Sequence, residues 1–117
     1  MELSLFLGLL FKHAICDIGL QRYLKHTNKQ IYSSKKAQIH YLQHGVATFL
    51  ICLFFVGPLT ALIAGALDWV AHWHIDHAKA RLNEYFGWNS SHTAYWWMVS
   101  IDQILHYLTY YIIIVLI

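Results

Sequence analysis

Four apolar blocks divide this sequence, at about residues 3–20, 39–56, 59–80 and 95–117. Each has about 18 to 23 residues, and at about 1.5 Å rise per residue a helix of that length crosses a hydrocarbon core of about 30 Å. Residues 48–67 and 107–117 carry no charged side chain. A water-soluble bundle of 117 residues has little reason to bury both stretches completely. Composition points the same way, with 58% of residues hydrophobic and 12% charged, where soluble domains carry about a quarter charged. A disordered chain, a collagen-like chain and a soluble coiled coil are excluded. The predicted fold class is an all-α, integral membrane four-helix bundle, one transmembrane domain over residues 1–117.

Gly57-Pro58 separates the second and third blocks. Proline removes a helix donor, and the residue before it avoids the α region. A kink in one continuous helix would make that helix about 63 Å long, twice the bilayer, so a tight turn is expected. Arg22, Lys25, Lys29, Lys35 and Lys36 fall in the first inter-block loop, and Lys79 and Arg81 border the second, about 81–94. The Gly-Pro turn has no basic residue. Basic loops stay in the cytoplasm, so both longer loops are expected there and both termini on the other side. Trp88, Tyr95, Trp96 and Trp97 read as an interfacial belt. Ser33-Ser34 reads as a helix cap. A formal net charge of +2 is too small to suggest nucleic acid. Cys16 and Cys52 lie inside apolar blocks and read as buried thiols, and no cleaved signal peptide is expected.

Every apolar block also carries ionisable residues four apart: His13 and Asp17; His40 and His44; Asp68, His72 and Asp76; Asp102 and His106. Residues i and i+4 share a helix face, so each helix presents one polar stripe. Gln21 continues the first stripe and Gln103 borders the fourth. Counted from the cytoplasmic helix ends, these groups occupy one slab roughly 6 to 18 Å deep, with His40 alone near the rim. Lys12 is the basic residue that fits no loop; it either snorkels or pairs with a buried aspartate. His74 and His77 point off the His72 face, His26 and His92 fall in loops, and none of these is expected as a ligand. Lys79 reads as a rim lysine or a partner for a substrate anion.

An ionised aspartate in hydrocarbon costs at least about 3 kcal/mol, so the four must meet one another, water or a cation. Histidine and aspartate from facing helices are the natural ligands of Zn²⁺, Mn²⁺ or iron. The candidate metal ligands are His13, Asp17, His44, Asp68, His72, Asp76, Asp102 and His106. Four carboxylates would balance two divalent ions; one ion with an outer set of orienting groups fits the residues as well.

The order and spacing of these motifs resemble a family of small integral membrane proteins of bacteria and phages, catalogued as domain of unknown function 3307. The matching positions are His13, Asp17 and Gln21; Lys29, Lys35 or Lys36 in the loop; His40 or His44; His72, Asp76 and Lys79; and Asp102, Gln103 and His106. The likeness spans nearly the whole chain, with Asp68 outside its pattern. It implies a polar membrane site and a bacterial or phage origin, hence a multi-pass protein of the bacterial inner membrane. It does not settle function.

Different uses of such a centre stay open. A metal-dependent membrane hydrolase would act on a lipid or lipid-linked substrate near the headgroups; a di-iron oxygen-using site is a variant of it. A haem protein would use two facing histidines such as His44 and His106. A proton or ion path, in an accessory subunit of a larger complex or a homo-oligomer, would use buried Asp and His as relays. A purely structural bundle would tolerate apolar replacement of these groups.

Overall fold

The structure, a computed structural model, describes residues 2–20 and 28–117. Gln21, Arg22, Lys25 and His26 lie outside the described residues. The described residues are helical apart from turns and loops: α1 (Glu2–Ala14), continued by a π-helical stretch Ile15–Leu20, then α2 (Lys35–Cys52), α3 (Pro58–Phe86) and α4 (Thr93–Leu116). The all-α class with four helices is therefore observed.

Helix ends follow local chemistry more than hydropathy. α2 begins four residues before its apolar block because Ser34 caps it, its hydroxyl accepting from the Ala37 N–H at 3.3 Å. A short turn leaves α2 after Cys52, and Pro58 sits at the start of α3, where a missing N–H costs nothing. α3 runs six residues beyond the apolar block and stops where Gly87 adopts φ +66°. There the Gly87 and Trp88 N–H groups donate to the Glu84 and Asn83 carbonyls, the left-handed cap that glycine accepts without strain.

α2 and α3 cross at a contact of backbone on backbone. A Cβ on Gly65 would lie 2.7 Å from the Gly45 carbonyl oxygen, and one on Gly45 would lie 2.9 Å from the Gly65 oxygen. Beyond this crossing, toward the Gly57–Pro58 turn, the interior is apolar: Leu5, Leu9, Cys52, Ala61, Ala64 and Ile113 are buried with the ring of Tyr110. Cys16 is also buried, and both thiols are free.

The outward faces remain apolar. Leu3, Phe11, Leu59, Leu62, Ile104, Ile112 and Leu116 are exposed along all the helices but α2, where Leu42, Val46 and Leu50 are exposed instead. Among the described residues, α4 alone is long and apolar enough to cross a membrane by length and composition. α1 has 13 α-helical residues. In α2 the lysines, glutamines and histidines lower the mean hydropathy, and in α3 the Asp68–His72–Asp76 stripe does so.

Candidate metal centre

All four helices send polar side chains to one level of the interior. α1 contributes Lys12 and His13, both buried. The π-helical stretch contributes Asp17. A π turn has i→i+5 bonding and is wider than an α turn, and such turns recur at functional sites. His13 Nε2 still reaches Asp17 Oδ2 at 3.1 Å. α2 supplies His40 and His44; α3 supplies Asp68, His72 and Asp76; α4 supplies Asp102 and His106, all buried.

Imidazoles from three helices converge on Asp17. Its Oδ1 lies 2.9 Å from His44 Nε2, 3.2 Å from His40 Nε2 and 3.5 Å from His72 Nε2. One ligand atom from each of Asp17, His40, His44 and His72 falls within 4.8 Å of the others, close enough for a single ion. His72, Asp76 and His106 form a second such group. The Nδ1 atoms of His40 and His72 are buried without a partner, and their Nε2 atoms, though close to carboxylate oxygens of Asp17 and Asp76, make no well-aligned hydrogen bond. An unpartnered polar atom in the interior is costly, so these two imidazoles fit a cation that would take up their lone pairs. The rings of His44, His72 and His106 stack in that order, with centroids 3.7 and 3.9 Å apart and planes within about 22°.

Lysines neutralise three of the four aspartates. Lys12 Nζ lies 2.7 Å from Asp68 Oδ2. Lys29 Nζ lies 2.8 Å from Asp76 Oδ2. Lys79 Nζ lies 3.2 Å from Asp102 Oδ2. Among the described residues, Asp17 faces histidines instead. Lys29 reaches its partner because the described part of the first loop folds back on α3: His77 Nδ1–H donates to the Lys29 carbonyl, and Trp73 Nε1–H donates to that of Tyr32.

Lys12 organises the floor of the centre. Its ammonium has three donors and three acceptors: Asp68 Oδ2, the Tyr110 hydroxyl oxygen at 2.9 Å and His44 Nδ1 at 3.0 Å. The Tyr110 hydroxyl therefore donates onward to His13 Nδ1 at 2.7 Å, and His13 Nε2–H donates to Gln103 Oε1 at 2.9 Å. Thr48 donates its hydroxyl proton to Asp68 Oδ2. Every partner of Lys12 is at least nine-tenths buried.

Of the sequence-derived candidates, Asp17, His44 and His72 meet in the first group, and Asp76 and His106 join His72 in the second. His13 stands beside Asp17 but is held by Tyr110 and Gln103. Asp68 is turned to Lys12 and Thr48, away from both groups. Asp102 contacts His106 at 3.3 Å and Lys79, so Lys79 has an internal carboxylate as partner. Lys12 likewise pairs with a buried aspartate and does not snorkel. His74 bonds the Val70 carbonyl and Tyr32, off the centre. His40, expected at the rim, is fully buried inside the first group. Its signal was present: Ser34 as cap starts α2 early enough to put His40 one turn and more inside the helix.

No curated protein and no solved structure matches this chain. A family model described as "Protein of unknown function (DUF3307)" matches residues 5–117, which is nearly all of it, and the chain belongs to that family.

Proposed function

We propose that this chain is a multi-pass inner-membrane protein that binds one divalent ion through Asp17, His40, His44 and His72, and that the centre hydrolyses a lipid or lipid-linked substrate. The observation that carries the metal is the pair of buried imidazoles, His40 and His72, whose ring nitrogens make no well-aligned hydrogen bond while their Nε2 atoms crowd Asp17, the one aspartate without a lysine partner among the described residues. Nitrogen and carboxylate donors of this kind suit Zn²⁺, Mn²⁺ or iron. The charges favour a single ion. Three ammonium groups already offset Asp68, Asp76 and Asp102, so a second divalent ion would leave the interior strongly positive. His44 Nδ1 lies 3.0 Å from Lys12 Nζ and its Nε2 lies 2.9 Å from Asp17 Oδ1, so Nε2 is the nitrogen of His44 that would face the ion.

The membrane reading rests on the outward faces, where large apolar side chains are exposed along all four helices, and on the apolar length of α4. Lys35, Lys36, Lys79 and Arg81 gather at the loop end, while the Gly57–Pro58 end has no basic residue, which favours loops in the cytoplasm. A bound divalent ion lowers the pKa of a coordinated water and polarises an ester or phosphoryl oxygen. Around it this chain's residues hold Asp17 in place through His13 and keep the Lys12 charge fixed beneath His44. The stacked imidazoles leave no slot for a porphyrin between His44 and His106, which weighs against haem. A second reading, a proton path in an accessory subunit, is favoured by the unbroken chain from Asp68 through Lys12, Tyr110 and His13 to Gln103.

Metal analysis of protein purified in detergent without chelator tests the centre. One ion per chain is expected, with loss in His72→Ala and in a His40→Ala/Asp17→Asn double variant. Metal-free wild type, or variants that keep a full equivalent, would overturn it. Chelator-sensitive release of product from phospholipid vesicles is expected of the hydrolase; proton flux into liposomes that is lost in Tyr110→Phe would favour the path.

A further inference from the structure

The cavity between α1 and α4 reaches the centre from the side. It measures about 560 Å³, inside the range of about 300–1,000 Å³ typical of small-molecule pockets. Phe6, Leu10 and Val99 wall it, and His13, Asp17 and Gln103 form its polar part. Asp17 is also the one aspartate of the centre with appreciable exposure: its side chain is 19% accessible, against 3% or less for Asp68, Asp76 and Asp102. The groove between α3 and α4 reaches Asp102 and Lys79, but these are paired with each other. The grooves on the outer faces of α2, at Leu42 and Val46, reach no member of the metal group.

We infer that this gap is a lateral entrance for a membrane lipid whose headgroup carries a phosphate. The inference rests on the proposed metal centre and names its substrate class. Leu10 and Phe6 lie about one and two helical turns from His13 toward the Gly57–Pro58 end, so the cavity is polar at one level and apolar below it. From Asp17 to Phe6 is about 16 Å along the helix at about 1.5 Å per residue, a length suited to an acyl chain. That grading matches an amphiphile with its head at Asp17 and Gln103 and its chain along Phe6. Counted over the described residues with neutral histidines, one divalent ion, three lysines and four aspartates leave the centre with a single positive charge, which draws an anionic head. Ala14, small and exposed, sits on the rim and leaves the opening clear.

The test places a thiol at the rim. Ala14→Cys, with Val46→Cys on the outer face of α2 as control, is alkylated with a maleimide in maltoside micelles, and the adducts are located by mass spectrometry. The native thiols are buried, at 2% and 0% exposure, and react slowly. Dodecyl phosphate is expected to slow alkylation severalfold in Ala14→Cys and leave Val46→Cys unchanged; inorganic phosphate is expected to protect neither. Equal slowing at both positions, no slowing at position 14, or protection that follows protein concentration without the probe would overturn the entrance, the last by pointing to a second copy on this face. Metal content is read on the same samples. A bound ion with no protection removes the entrance and leaves the centre standing; protection without an ion removes the centre.

Discussion

The two ends of this bundle are held together by different physics. Near the Gly57–Pro58 turn, Leu5, Leu9, Ala61, Ala64 and Ile113 pack closely, and Gly45 and Gly65 let two backbones touch. Near the loops, four aspartates, their lysines and stacked imidazoles occupy the space where a core would be. Tyr110 joins the halves, its ring in the apolar cluster and its hydroxyl between Lys12 and His13. The apolar end needs only shape, so many sequences could supply it. The polar end is tolerable only while each charge keeps its partner, and close packing at the other end fixes the register that keeps them together.

The largest expected effect separates the two kinds of order. Lys12→Met leaves Asp68 buried without its cation, and breaking such a pair costs about 3–5 kcal/mol. The double variant Lys12→Met/Asp68→Leu should recover most of it, as measured by unfolding in mixed detergent; no recovery would mean that the pair is not an isolated charge couple. Leu9→Ala, in the apolar end, should cost about 2–3 kcal/mol through lost packing and a residual cavity. No second deletion should rescue it. Gly65→Ala links the halves: its Cβ collides with the Gly45 carbonyl, so about 1–3 kcal/mol of overpacking is expected. It should also lower metal content by parting His44 from His72, and unchanged metal content would show that the ends are independent. The smallest is Ser34→Ala, which removes a cap worth about 1 kcal/mol and should fray α2 without touching the apolar cluster, readable as faster amide exchange confined to its first turn.

Much of this arrangement could be read from the residues. Four apolar blocks correspond to four helices, and the i, i+4 stripes identify the side chains that turn inward. What escaped depends on tertiary folding. Lys29 sits in a loop, and nothing local says that the loop will bend back onto Asp76. The carboxylate count that would balance two ions leaves out the ammonium groups of Lys12, Lys29 and Lys79, whose pairing no spacing rule reveals. His40 is buried for a different reason: hydropathy starts α2 at the first apolar residue, while the chemistry of the start lies in Ser34, which sets His40 more than one turn inside the helix. The single span that passes on length and composition reflects the same polar stripes, because a helix carrying Asp68, His72 and Asp76 has an interior face no hydropathy average rewards.

The widened helix at Ile15–Leu20 has its own consequence. Such a stretch is equivalent to one residue slipped into an α-helix without disturbing what comes before it. Excising a single residue between His13 and Asp17 would rewind the turn to α-helical geometry and re-aim the Asp17 carboxylate relative to the ring of imidazoles, while Leu5, Leu9 and Lys12 kept their neighbours. The ligand set could thus be gained or lost in one insertion or deletion, with the scaffold unchanged.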